Sequence, residues 1–245
     1  MALFKKGNDT SSGGDPGWLE IKLNKYEIKY CWDCIKASGK KHNVKPSLTG
    51  QINASYAVDD KDGMLMKKII NPAIKLWDET YSLPKYLHRR LCQQQLVLSS
   101  KDNENLQSVL LPNDVVGENS KHQLDYKLHS WWVNYQQATE YNPIHRHGGL
   151  FSFAIWLKEP TSFAKQKLKE NAKNTNGSRN YVFDFHYLDK LGYLSGMSFP
   201  LGPEMEGMML FFPADLNHSV NPFYDVDEAR VSMAGNIVPR FTLKV

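Results

Sequence analysis

Five side chains in three places carry the chemistry this sequence offers: His145 with His147, then His218, then Arg230 with Ser232. Residues two apart in an extended chain project to the same face, so His145 and His147 can present two imidazoles to one metal ion. The pair alone says little. With eight histidines in 245 residues, a His-x-His pair arises by chance in about one such chain in four, and two loop histidines making ordinary hydrogen bonds would look the same. Context comes from further along the chain, where Gly207-Met-Met-Leu-Phe-Phe-Pro213 reads as a buried strand stopped by proline and the short turn after it presents His218. Ligands from one strand end joined by a histidine from a distant strand leave one face of an ion open, as in mononuclear non-haem iron sites. Arg230 and Ser232 share a face by the same alternation. A guanidinium fork and a hydroxyl together suit a carboxylate, whereas an Arg230 on the surface would pair with Asp225, Asp227 or Glu228.

These residues need a scaffold, and composition bounds it. The chain is 41% hydrophobic and 23% charged, ordinary for a globular protein with a substantial core, and its net charge of +4 falls short of a nucleic-acid footprint. Nucleic acid is therefore an unlikely partner. No run of about 18 apolar residues is present, so no membrane span is expected. Residues 1–16 carry Lys5 and Lys6 and then polar residues and glycines, and read as a flexible segment without a secretory leader. Cys31, Cys34 and Cys92 are an odd set that argues against a disulfide scaffold and for a reducing, cytoplasmic setting. Cys31 and Cys34 stand at helical spacing and read as core.

From residue 17 onward the pattern implies one domain. Trp18 to Leu23 alternates as a half-buried strand, Lys25 to Lys40 has helical spacing, and Met64 to Tyr81 has a second helical stripe that Pro72 must bend or interrupt. Helical support is thus expected mainly over 25–125, with Gln94 to Ser99 a candidate strand and Asn103 to Ser120 mostly loop. From Tyr126 short apolar runs recur between turn signals, and the β core is expected over 126–245. Its candidate strands are Ser130 to Tyr135, Leu150 to Leu157, Tyr181 to Tyr187, Tyr193 to Phe199, Gly207 to Phe212 and Arg230 to Ile237. Many short strands point to a mainly β sandwich or jelly roll with a ligand-holding mouth. The Lys-rich stretch 165–180 reads as an exposed loop placed where a substrate lid would sit. Asp184 and His186 read as strand residues with ordinary hydrogen bonds.

The segments Trp132-Val-Asn-Tyr135, Tyr141-Asn-Pro-Ile-His145-Arg-His147-Gly-Gly-Leu-Phe-Ser152-Phe-Ala-Ile-Trp156, Phe212-Pro213-Ala-Asp-Leu-Asn-His218 and Arg230-Val-Ser232-Met-Ala-Gly-Asn236 together resemble the 2-oxoglutarate/Fe(II)-dependent oxygenases encoded by tailed bacteriophages, which are related to prolyl 4-hydroxylases. Leu48-Thr-Gly50-Gln-Ile-Asn53 is similar too. The resemblance implies a double-stranded β-helix, the cupin-like jelly roll, with supporting N-terminal helices. It also implies Fe(II) held by His145 and His218, 2-oxoglutarate as cosubstrate with its distal carboxylate on Arg230 and Ser232, and dioxygen as co-reactant; His147 is read as the third ligand from its two-residue spacing, with no nearby Asp or Glu to replace it. Tyr135 is the expected further cosubstrate contact. Trp156 is a cavity residue or a core residue. The reaction implied releases succinate and carbon dioxide and hydroxylates a C–H bond of a protein side chain, prolyl by analogy, or of a small molecule.

One departure stands out. The wider superfamily has Asp or Glu where this chain has His147, so three neutral imidazoles would leave the metal site at +2 instead of +1. Two other readings follow: a three-histidine cupin dioxygenase that uses no 2-oxoglutarate, against which Arg230 and Ser232 argue, and a non-catalytic jelly-roll binding or virion-associated protein. Oligomeric state has no signature in the sequence.

Overall fold

A computed structural model describes residues 4–6, 17–83, 86–87, 122–189 and 191–243. The described chain is mainly β. Eleven strands are described: β1 (Phe4–Lys6), β2 (Leu19–Lys22), β3 (Ala54–Ala57), β4 (His122–Gln136), β5 (Asn142–His145), β6 (Phe151–Lys158), β7 (Val182–Leu188), β8 (Leu194–Pro200), β9 (Met208–Pro213), β10 (Asn217–Val220) and β11 (Arg230–Leu243). They form two antiparallel sheets, a larger one ordered β1-β2-β9-β6-β11-β4-β3 and a smaller one ordered β5-β10-β7-β8. This is the jelly-roll arrangement expected.

Alternation sorts the residues of the larger sheet into two cores. Trp131 and Val133 of β4, Phe151, Phe153, Ile155 and Leu157 of β6, Met209 and Phe211 of β9, and Val231 and Met233 of β11 pack with the helices. Their even-numbered neighbours Trp156, Leu210 and Phe212 instead pack with Phe183, Phe185, Phe199 and Val220 of the smaller sheet. A strand buried on both faces reads as a continuous apolar run, which explains Phe151-Ser-Phe-Ala-Ile-Trp-Leu.

The helical layer consists of α1 (Lys25–Ser38), a π-helical stretch (Leu65–Ile70) and α2 (Asn71–Tyr81). Asn24 caps α1 by accepting from the Tyr26 and Glu27 amides, while the Glu27 carboxylate accepts from the Asn24 amide at 2.7 Å, a reciprocal capping box. Cys31 and Cys34 are buried free thiols on its inner side, as expected of core residues. The interruption expected at Pro72 takes the form of the π turn immediately before it, which leaves Pro72 in the first turn of α2 where its missing N–H is tolerated.

Several boundaries differ from the sequence reading. Phe4–Lys6, inside the segment expected to be flexible, pairs with Leu19–Ile21. The stretch expected to be helical support contains β3 and the start of β4, which begins at His122 instead of Ser130. The reason is a bulge: β11 residues Asn236 and Ile237 face Ser130 and Leu128, skipping His129. The alternation therefore changes phase, and Leu124, Tyr126 and Leu128 join Trp131 and Val133 on the helical side. The candidate strand 94–99, the loop 103–120 and Cys92 lie outside the described residues.

Candidate active site

His145 and His218 come from paired strands. They stand opposite each other in the β5–β10 ladder, and β10 pairs along its other edge with β7, where His218 faces Phe185. His147 follows in the connection from β5 to β6, where its amide donates to the Ala214 carbonyl. Candidate ligand atoms of the three imidazoles all lie within 4.8 Å of one another. Thus 71 residues of chain separate two side chains whose Nε2 atoms are 3.2 Å apart, those of His147 and His218.

Hydrogen bonds fix which nitrogen is free. His145 Nδ1 lies 2.8 Å from the Pro143 carbonyl and His218 Nδ1 lies 2.9 Å from the Leu216 carbonyl. A carbonyl only accepts, so each Nδ1 carries the proton and each Nε2 presents a lone pair, the orientation that outer hydrogen bonds impose on metal-binding histidines. Burial lowers the affinity of all three rings for a second proton: His147 falls to about 3, first through desolvation and then through His145, and His145 and His218 fall by the same leading cause. His218 is enclosed by Phe183, stacked at 5.6 Å, and by Phe212 at 5.0 Å. Converging neutral imidazoles with free lone pairs form a donor set suited to a divalent cation.

Arg230 and Ser232 face the same cavity, of about 1000 Å³, that the histidines line. Four cross-strand rows order its floor. Arg230 opposes Gln136; Ser232 opposes Asn134 and Trp156, with Ser55 beyond Asn134; Ala234 opposes Trp132 and Ala154; and Asn236 opposes Ser130 and Ser152. Trp132 packs on His147 at 5.7 Å, which places the imidazoles over the third row. Arg230 is only 2% exposed, yet Nη2 alone among its nitrogens is satisfied, by donation to Gln136 Oε1, while Nε and Nη1 have no partner. Unspent guanidinium donors in a buried wall are what a ligand carboxylate would satisfy.

Two expectations change. Tyr135, expected to touch the cosubstrate, lies on the helical side of β4, where it packs on Tyr56 at 6.2 Å and under Lys40 at 5.4 Å. It is one residue out of phase with the cavity, and its neighbour Asn134, whose Oδ1 accepts from Ser55 at 2.7 Å, lines it instead. The 165–180 stretch does not line the cavity either. It opens with the short helix α3 (Phe163–Gln166), and Gln166 is pinned by bonds to the Tyr224 amide and carbonyl. Residues between His42 and Asp60 line the cavity instead. Trp156 is both things the sequence allowed, a cavity residue and a core residue packed edge-on against Phe183 at 5.5 Å. Asp184 and His186 make the ordinary hydrogen bonds expected, with Arg179, Ser198 and Asn221 for the first and Ser219 for the second.

Sequence reasoning missed a group behind Arg230. Tyr181 donates its hydroxyl to Glu159 Oε2, both residues are buried, and the Arg230 guanidinium lies 6.0 Å from the Tyr181 ring centre. The cause is a second bulge. Val231 faces Lys158 and Ser232 faces Trp156, skipping Leu157; the phase is reversed beyond that point, and Glu159, just past the end of β6, falls within the electrostatic reach of Arg230. Simple alternation would have sent Glu159 to the helical side.

Residues 130–236 match the family model described as "Putative 2OG-Fe(II) oxygenase". The matched segment contains all three histidines, Arg230 and Ser232. No curated protein matches the chain. Among solved structures, the chain is similar to a Burkholderia pseudomallei oxidoreductase of the 2OG-Fe(II) oxygenase family (13% identity, 47% of this chain and 46% of that one, TM-score 0.32). The chain thus spans less than half the length of that protein. It is also similar to a Pseudomonas putida prolyl-4-hydroxylase (9% identity, 93% of each chain, TM-score 0.42). A third is the viral collagen prolyl hydroxylase of Paramecium bursaria Chlorella virus-1 (11% identity, 94% of this chain and 98% of that one, TM-score 0.44). The residues present fit the groups named in that family's description: one converging ring nitrogen from each histidine for a metal, and unspent Arg230 donors for a carboxylate.

Proposed function

We propose that the protein is a 2-oxoglutarate- and Fe(II)-dependent dioxygenase that hydroxylates a C–H bond of a protein side chain, prolyl by analogy with the family it resembles, or of a small molecule. The observation that carries this reading is the sharing of one cavity by a three-imidazole cluster and a buried, under-satisfied arginine. When bound, Fe(II) and 2-oxoglutarate supply the oxidant, with dioxygen consumed and succinate and carbon dioxide released. His145, His147 and His218 would hold the metal, with the Pro143 and Leu216 carbonyls fixing two of the rings. Arg230 and Ser232 would hold the distal carboxylate by charge-assisted hydrogen bonds. Asn134, beside Ser232, would position the cosubstrate between these ends. Trp156, Phe183 and Phe212 exclude water from the region that His218 enters, which strengthens the polar contacts made there.

The test is turnover. With Fe(II) and labelled 2-oxoglutarate added to anaerobically purified protein and oxygen then admitted, succinate is expected from the natural chain and is expected to fall at least about a hundredfold in His218→Ala and Arg230→Ala, as loss of a metal ligand or of a buried charged contact of about 3 kcal/mol would cause. Iron-dependent oxidation indifferent to 2-oxoglutarate and to Arg230→Ala would instead favour the three-histidine cupin reading. Absence of metal binding would favour a binding protein.

A further inference from the structure

The buried group behind Arg230 has a charge problem that the cosubstrate changes. Arg230 and Glu159 are 2% and 6% exposed, and neither forms an ion pair with the other: Arg230 Nε and Nη1 and Glu159 Oε1 are all without a hydrogen-bond partner. The two side chains flank Tyr181, which bonds one and lies under the other. Tyr181 is itself held at φ +60°, a left-handed conformation unusual for an aromatic residue, with its amide bonded to the Pro222 carbonyl and its carbonyl to the Leu201 amide. One guanidinium therefore stands between a resident carboxyl group and the cavity.

We propose that Glu159 is the resident counter-ion of the cosubstrate seat: ionised against Arg230 while the cavity holds no anion, and taking up one proton from solvent when a ligand carboxylate takes the guanidinium. This rests on the reading of Arg230 as the carboxylate seat. The physical reason is that two carboxylates sharing one buried cation cannot both stay ionised. The charged and titratable groups facing Glu159 are Arg230, Tyr181, Glu206 and Glu204. Three of the four are acids, and Glu206 Oε1 already accepts from the Glu159 amide at 2.9 Å, so Arg230 is the cation that can keep Glu159 ionised. Burial sets the carboxyl near neutrality, raised to about 7, where a change in its neighbour changes its protonation. Glu159 thus acts as a positioning residue with a regulatory consequence: 2-oxoglutarate binding becomes proton-linked.

The experiment is calorimetric titration of Zn(II)-loaded full-length protein with 2-oxoglutarate between pH 6 and 9, in pairs of buffers with different ionisation heats. The control ligand is 2-oxobutyrate, a 2-oxo acid without the distal carboxylate. Expected for the natural chain is uptake of up to one proton per 2-oxoglutarate and a Kd that rises toward about tenfold per pH unit above pH 7, with neither effect for 2-oxobutyrate. Glu159→Gln, which mimics the protonated form, is expected to bind 2-oxoglutarate with little proton uptake and with a Kd changing less than about twofold over the same range. Equal proton uptake for both ligands, or the same pH slope in Glu159→Gln, would overturn the proposal. Should that variant fail to fold, the comparison of the two ligands on the natural chain decides alone. Failure of the natural chain to bind 2-oxoglutarate at any pH is a separate result, which overturns the carboxylate seat itself.

Discussion

At the scale of single residues, the unusual choice is His147 where a carboxylate would lower the charge of the metal site. Its Nε2 lies 3.2 Å from that of His218, where a proton on His147 bridges the two nitrogens and a shared cation would replace that proton with a chelate. His147→Ala is therefore expected to weaken Zn(II) or Mn(II) binding by more than about tenfold, or 1.4 kcal/mol. His147→Asp is expected to keep the metal while weakening dianionic 2-oxoglutarate several-fold, because the site falls from +2 to +1. Both are read by titration calorimetry, and an Asp variant that binds 2-oxoglutarate more tightly would contradict the charge argument. Glu159 gives a second prediction. Its folded value is raised from 4.5 to about 7, so the folded chain binds a proton that the unfolded chain has already lost, and the stability linked to this group falls as pH rises through that window. Glu159→Gln is expected to be more stable than the natural chain at pH 8, by about 1 to 3 kcal/mol, and the gain is expected to vanish toward pH 4.5. Urea denaturation at the two pH values measures it. The histidines and Arg230-x-Ser232 were legible in the sequence because their spacing needs only local alternation. Glu159 and the turn of Tyr135 away from the cavity were not, since each depends on where the phase of a strand is set.

Elements decide that phase. The bulges opposite Asn236–Ile237 and Val231–Ser232 each add one residue to a neighbour of β11, and each reverses which face that neighbour's later residues address. No local pattern announces them, which is why β4 reads as starting at Ser130 and why the buried carboxyl is hidden. The short strands β3, β5 and β10 escape sequence reading for another reason: four residues carry too little periodicity to distinguish from loop. The turn between β5 and β6 is tightly constrained. Gly149 has φ +97°, and a Cβ there would stand 2.7 Å from the Ile237 carbonyl oxygen. Gly149→Ala is accordingly expected to destabilise the fold by about 1 to 3 kcal/mol and, because His147 is two residues away, to weaken metal binding as well. Asn24→Ala provides the contrast. Loss of the α1 capping box is expected to lower stability by about 1 kcal/mol on the helical side of the sheet and to leave metal affinity unchanged. Thermal melts and metal titrations of the two variants separate a strained site turn from a general loss of stability.

For the whole molecule, the two cores have different jobs. The helices bury one face of the larger sheet, while the opposite face, with the smaller sheet over it, is left partly polar around the cavity, through Ser55, Asn134, Ser232 and Asn236. Two of the three candidate ligand imidazoles belong to the smaller sheet, and the third belongs to the crossover that leads into the larger one. A metal there would tie the smaller sheet to that crossover. Because the ion would bind the folded chain and find no assembled site in the unfolded one, it adds RT ln(1 + [M]/Kd), about 2.7 kcal/mol at a hundredfold excess over Kd. The gain is expected to be local in its protection. Hydrogen exchange should slow on Zn(II) addition at residues 142–149 and 216–220 and remain unchanged in α1 and α2, whose packing against the far side of the sheet does not involve the ion. His218→Ala should remove both the melting shift and the protection. Uniform slowing across the helices and both sheets would mean instead that the metal acts on global unfolding alone, and that the smaller sheet does not open independently of the core behind it.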